Sequence, residues 1–315
     1  MLSYVIRRLL YAIPISLAVT IVVFSLVHLA PGDAINALVP DEASQELVDQ
    51  IRHEYGLDKP LPVQYFYWLG NALRGNLGMS LGSGRPVATE TMTAVKNTLV
   101  LAVSAGLLSC VLGFTLGIAA GVWRDRLPDH AISFFTLAGV SVPHYWLAIV
   151  LVIIFSVNHM WLPPLGMGPN EWRLDWVHVQ HMILPTVTMA AIPISVIART
   201  VRANVAEVMD QEFITTLWSK GLTRSRIFWH VIRNVLPGSM AVMGLQIGHM
   251  LGGSVLVETV FAWPGTGFLM ATAIFQRDLP LLQGTMLVLS ISFVLLNLLV
   301  DLLQSWADPR LRRIG

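Results

Sequence analysis

Charge is scarce in this chain of 315 residues. Lys, Arg, Asp and Glu make up 12% of it, against about a quarter in a soluble globular chain. Too few polar groups are present to cover a water-facing surface. The net charge of +1 offers no basic field for nucleic acid, and none is expected as a partner. A single cysteine, Cys110, excludes an internal disulfide and any site built on several thiolates. It stands in an apolar run and reads as a buried, bland thiol. No Gly-x-x-x-x-Gly-Lys-Ser/Thr run occurs, so no P-loop phosphate cradle is available. No His-Glu-x-x-His helix occurs either, and no catalytic residue is expected. His178 and His181 stand three apart without a cysteine or carboxylate cluster, so no metal site is expected.

What the chain has is hydrocarbon. Hydrophobic residues make up 55% of it, and the mean hydropathy is +0.65. They come in long blocks, and a membrane-crossing helix needs about 20 mostly apolar residues. Six such spans are expected: Leu9–Leu29, Thr98–Val122, Ala131–Val157, Met182–Ala198, Val235–Val257 and Leu281–Leu303. The first is longer than a signal-peptide core and reads as a retained anchor. Pro143 should kink the third, while Pro185 and Pro193 fall in the fourth.

Lys and Arg orient the spans. With the N-terminus inside, thirteen of the 20 basic residues fall on the inner side, including Arg124, Arg126, Arg199, Arg202, Lys220 and Arg224. Both termini are therefore expected in the cytoplasm of a bacterial cell. The outer segment 30–97 carries Asp41, Glu42, Glu46, Asp49, Glu54 and Asp58. Ser44–Tyr55 and Val63–Leu73 read as short amphipathic helices forming a small extracytoplasmic cap. The expected organisation is an anchor plus cap over 1–97, a five-helix core over 98–305 with a cytoplasmic loop at 199–234, and a tail over 306–315.

Two glycine ladders stand out. Gly113, Gly117 and Gly121 recur every four residues in the second span, as do Gly244, Gly248 and Gly252 in the fifth. That spacing places each set on one helix face, where two backbones can approach closely. Both ladders are read as helix-packing faces. Polar residues inside the spans mark function because lipid penalises them. Gln246, His249 and Asn297 are the candidates for a substrate pathway, and Glu258 opens an expected tight turn.

The loop between the fourth and fifth spans contains DQEFITTLWSKGLTRSRIFWHVIRN, from Asp210 to Asn234. This run resembles the cytoplasmic EAA loop of permeases in the dipeptide, oligopeptide and nickel branch of ATP-binding-cassette importers. GLDKP at Gly56–Pro60, LRGNLGMS at Leu73–Ser80, HMILP at His181–Pro185 and ETVFAWPGTG at Glu258–Gly267 resemble that family too, in order along the chain. Thr215, Thr216 and Leu217 depart from the Glu-Ala-Ala that names the loop.

The resemblance implies an all-α membrane protein of the type I ABC importer permease fold. It implies a second homologous permease, two ATPase subunits that hold ATP and Mg2+, and an extracytoplasmic binding protein. No cofactor would be bound by this chain. A coupling helix at about Glu207–Lys220 would face an ATPase. Phe213 and Leu217 would be its apolar contacts, Glu212, Thr216 and Lys220 its polar rim, and Gly221 the turn that re-aims the chain. The implied cargo is a peptide or related solute, with nickel, metal chelates, glutathione and opines as alternatives. A self-contained secondary transporter is the competing class, but the two halves show no clear repeat and few mid-span charges.

Overall fold

A computed structural model describes residues 2–29, 59–169 and 172–307. Within them the regular elements are helices, apart from an isolated bridge between Met79 and Pro86. In chain order these are α1 (Leu2–Leu29), α2 (Leu61–Leu73), α3 (Val87–Val122), α4 (Leu127–Ser141), α5 (His144–Val152) and α6 (Trp176–Met209). Then follow α7 (Glu212–Ser219), α8 (Arg224–Val260), α9 (Thr266–Gln276) and α10 (Leu279–Ala307). The amphipathic helix expected at Ser44–Tyr55 lies outside the described residues.

Among the described residues three helices are long and apolar enough to cross a membrane: Val87–Val122, Trp176–Met209 and Leu279–Val300. A further helix pair is long and apolar enough only if its two bent halves are taken together. The expected helix Ala131–Val157 breaks into α4 and α5, with a 104° bend between them. The cause is Pro143, which lacks an N–H to continue the ladder and pushes Val142 into an extended backbone with ψ 122°. After α5 the chain winds into a π-helical turn, Ile153–Asn158. Pro185 and Pro193, by contrast, sit inside α6 without breaking it. Its neighbours α4, α5 and α8 pack around it.

The helices group into two compact units. One comprises Leu99–Trp263 and the stretch from Leu299; the other comprises Leu2–Thr98 and Pro264–Leu298. The core of the first holds Ile197, Val201, Val205 and Val208 of α6, Ile214 of α7, and Ile227, Val231 and Val235 of α8. Spacing of four along α6 and α8 puts each set on one stripe, so the two helices meet face to face.

The first glycine ladder explains how α3 joins this core. A Cβ on Gly113, Gly117 or Gly121 would lie within 2.8 Å of Ile197, Val201 or Val205 respectively. It would also lie within 3.1 Å of the backbone carbonyl of Ile194, Ala198 or Arg202. Three glycines at i, i+4, i+8 thus meet three β-branched residues of the same spacing on α6. In the second ladder, Gly248 is buried and Gly244 half-buried. Gly252 falls in the stretch 251–254, whose surroundings lie outside the description.

In the second unit α2 leans on α1 through Tyr65. Its hydroxyl pairs with that of Thr20 at 2.7 Å, and its ring meets Phe24 edge-on at 5.5 Å. The short helix α9, missed in the sequence, follows the Trp263-Pro264-Gly265 turn and ends at Arg277, whose φ is 56°. Its 11 residues are too few to read as a span.

Candidate functional site

The loop between α6 and α8 folds as a helix laid over the core. The expected helix Glu207–Lys220 needs correction: Glu207–Met209 finish α6, and α7 spans only Glu212–Ser219. The break falls at Gln211, whose ψ is 144°. Just before it, the Asp210 carboxylate accepts a 2.7 Å hydrogen bond from Arg124 in the loop after α3. That ion pair is exposed on both sides and adds little energy, but it ties the end of α6 to a neighbouring loop.

The faces of α7 differ in burial. Ile214 is buried, and Phe213, Leu217 and Leu222 pack against the core of α6 and α8. Phe213 and Leu217 therefore touch the chain's own core while each keeps part of its surface exposed. Burying Ile214 alone contributes about 2 kcal/mol, so the core holds α7 down. Glu212, Thr215, Thr216, Ser219 and Lys220 are exposed. The large apolar side chain left outside is Trp218, at 47% exposure, which the sequence reading did not single out.

Gly221 ends the element. Its φ is +73°, the left-handed region that costs other residues about 1–2 kcal/mol. No heavy atom lies within 4 Å of a Cβ built there, so the backbone angle, not crowding, demands glycine. The Gly221 and Leu222 N–H groups donate to the carbonyls of Trp218 and Leu217, which satisfies the end of α7. The chain then re-enters helix at Arg224. From there α8 runs to Val260 as 37 residues without interruption.

Behind the loop lies a buried ion pair. Asp129, 1% exposed at its side chain, takes two hydrogen bonds from Arg202, from Nε at 2.6 Å and from Nη2 at 2.7 Å. The Asp125 N–H and the Ser133 hydroxyl also donate to it. The carboxylate is thus fully coordinated, which is the condition for a buried charge.

The proposed pathway residues divide. Gln246 and His249 stand three apart on α8 and share a face; His249 is exposed and Gln246 half-buried. Asn297 lies in α10 in the other unit, and its amide donates to the Phe293 carbonyl one turn back. Glu258 is fully buried, and its main-chain carbonyl accepts from the Trp263 N–H at 2.8 Å, closing the expected turn.

His178 is engaged in full. Its Nδ1 lies 2.7 Å from Asp175 Oδ1, and its Nε2 lies 3.1 Å from the Pro169 carbonyl. Both ring nitrogens thus face an acceptor, which fixes the orientation of the ring. The His178 N–H also donates to Asp175 and holds that carboxyl below the usual carboxylate range. The pair pins the segment before α6. His178→Leu is expected to raise proteolytic cleavage between Trp161 and Asp175 severalfold while leaving the amount of membrane-inserted protein unchanged. Equal cleavage of both proteins would show that the contact does no pinning.

One serine pattern escapes the sequence reading. Gly78–Gly82 has the Gly-x-Ser-x-Gly spacing of a hydrolase elbow. Ser80 is 2% exposed, and its hydroxyl donates to Asp278 at 2.6 Å. The Gly82 and Leu281 N–H groups donate to the same carboxylate. The serine sits in a turn rather than between a strand and a helix, and no histidine bonds to it among the described residues. It is a clasp between the turn and the start of α10.

The comparisons agree with this arrangement. Residues 113–313 match the family described as binding-protein-dependent transport system inner membrane component. Residues 1–103 match the N-terminal model of the same kind of membrane component. The glutathione transport system permease protein GsiC of Escherichia coli (strain K12) is 37% identical over 313 residues, covering 99% of both chains. Its counterpart in Salmonella choleraesuis (strain SC-B67) is 38% identical over the same length. The inward-facing MetNI methionine ABC transporter shares the fold, with a TM-score of 0.56 at 18% identity over 69% of this chain and 96% of that one. The chain belongs to the binding-protein-dependent transport system inner membrane component family: it is the multi-pass inner-membrane permease of an ABC importer that works with ATPase and substrate-binding components, and it is not itself an enzyme.

Proposed function

We propose that this permease forms one half of an alternating-access pathway for glutathione or a related small peptide. The carrying observation is the end-to-end likeness to glutathione permeases, 37% identical across 99% of both chains. In this reading the chain crosses the membrane six times with both termini in the cytoplasm, as the distribution of Lys and Arg supports. A second homologous permease completes the pathway. Two ATPase subunits hold ATP and Mg2+, and this chain holds neither. The exposed side of α7 meets an ATPase, with Trp218 as its apolar contact and Glu212, Thr216 and Lys220 around it. Gln246, His249 and Asn297 face the solute at different stages of its passage.

The test is uptake by proteoliposomes containing the complete complex and its binding protein. ATP-dependent accumulation of labelled glutathione is expected, with unlabelled peptide competing. Competition by nickel or an opine, with none by peptide, would reassign the cargo.

The coupling role has its own test at Gly221. Because the site is open, Gly221→Asp should assemble normally and keep ATPase activity. Asn matches Asp in shape and also tolerates the left-handed region. A carboxylate turned toward a partner surface costs affinity that an amide does not, so uptake should fall about tenfold or more in Gly221→Asp and much less in Gly221→Asn. Equal uptake by all three proteins would remove the loop from the coupling route.

A further inference from the structure

A groove of about 250 Å3 opens beside the Asp129–Arg202 pair, lined by Ile132, Ser133, Thr136 and Leu137 of α4 and by Ala198, Arg199 and Arg202 of α6. Its floor is made by Ala120 of α3 and Ala198, each about 1% exposed. A methyl on each leaves the space unfilled. The volume is below the roughly 300–1,000 Å3 of a pocket for a drug-sized solute, which suits a headgroup better than a whole ligand.

The charges around it do not cancel. Asp129 is fully committed to Arg202, and Asp210 is paired with Arg124. Arg199 is exposed, and no carboxylate lies within ion-pair distance of it among the described residues. Arg126 is exposed nearby in the chain at the start of α4. Asp125 also lies against Arg124, 3.5 Å from its Nε, so Arg199 leaves the groove with net positive charge. Ser133 and Thr136 direct their hydroxyl hydrogens to Asp129 and to the Ser133 carbonyl, which leaves the guanidinium groups as the donors for a ligand.

The edge of the groove is apolar. Leu137 is 59% exposed, and on the same helix Leu127, Phe134 and Phe135 are exposed by 84%, 68% and 71%. A ligand that fits has an anionic head against Arg199 and a hydrocarbon tail along α4. Arginines placed where a span leaves the cytoplasmic face are also where anionic lipid headgroups lie.

From this groove we infer a binding site for one anionic phospholipid, with the phosphate held by Arg199 and the free edge of Arg202. The inference rests on the orientation given above, in which the loops before α4 and after α6 are cytoplasmic. A lipid held there wedges α4 against α6 and steadies the ion pair between them.

The experiment is native mass spectrometry of the purified complex in detergent, with phosphatidylglycerol and phosphatidylcholine added at equal concentration. Preferential retention of phosphatidylglycerol is expected. Arg199→Gln should weaken that preference about fivefold, the effect of one basic residue near a lipid surface. Leu137→Glu, at the exposed edge, should weaken it as well without touching the core. Glycerol 3-phosphate and inorganic phosphate should not displace the lipid. Equal retention of both lipids, or displacement by free phosphate, would overturn the proposal, as would unchanged preference in both variants. Lipid retention is read without transport, so failed glutathione uptake with intact lipid preference counts against the cargo reading alone.

Discussion

Arg202→Leu should sharply reduce the folded permease recovered from membranes. The substitution leaves Asp129 buried with two hydrogen bonds, from Asp125 and Ser133, and no counter-charge. Removing one partner of a buried pair costs about 3–5 kcal/mol, and one-third exposure of the Arg202 side chain places this case at the lower end. The measurement is the thermal stability of the detergent-solubilised complex, followed by size-exclusion profile. Replacing both partners, Asp129→Leu with Arg202→Leu, should recover much of the loss, because no buried charge is then left alone. If the double variant is as unstable as the single one, the pair contributes through shape rather than charge.

Gly117→Leu should be as damaging by a different route. A Cβ at Gly117 meets the Ala198 carbonyl and the Val201 Cβ, each at 2.6 Å. The first of these is backbone, so trimming Val201 cannot relieve it, and α3 has to move off α6. Overpacking of this kind costs about 1–3 kcal/mol, occasionally more, and a full leucine belongs at the upper end. Gly117→Ala should lie between the leucine variant and the natural protein. Gly106→Ala is the control, because its Cβ would meet Ile247 at an ordinary 3.4 Å. That change should be neutral, or stabilising by up to about 1 kcal/mol through helix propensity. Equal losses at Gly106 and Gly117 would mean that the ladder is not a contact surface.

Composition and block length place the long helices because lipid selects for both. The ends of those helices follow other rules. α3 begins at Val87 and α6 at Trp176, well before the expected Thr98 and Met182. Their first turns are polar and are held by packing within the protein, which leaves no hydropathy signal. Gly113, Gly117 and Gly121 announce a close contact through their spacing, but nothing in the sequence identifies Ile197, Val201 and Val205 as the other side of it.

The loop shows the same division. Gly221 is legible as a turn because a left-handed backbone selects glycine. The apolar face of α7 is legible as well, because Phe213, Ile214 and Leu217 recur with helical spacing. Which body meets that face is not written in the spacing, and the chain's own core buries Ile214 and part of Phe213 and Leu217. The break at Gln211 has no proline or glycine to mark it; its neighbour Asp210 is held by Arg124, 86 positions away. The same distance problem hides the clasp of Ser80 and Asp278, separated by 198 positions. It also hides the pairing of Asp129 with Arg202, 73 positions apart, since each reads alone as an ordinary loop charge.

The unbroken run of α8 has a mechanical meaning. At 1.5 Å per residue its 37 residues make a rod about 55 Å long. A push delivered near Thr223 is therefore carried toward Val260 through helix alone, with no slack loop between. The compliant point is Pro237, which has no N–H to offer the carbonyl of Arg233. A load applied at the Thr223 end should make the rod pivot there, so that a small sideways step at one end becomes a tilt at the other.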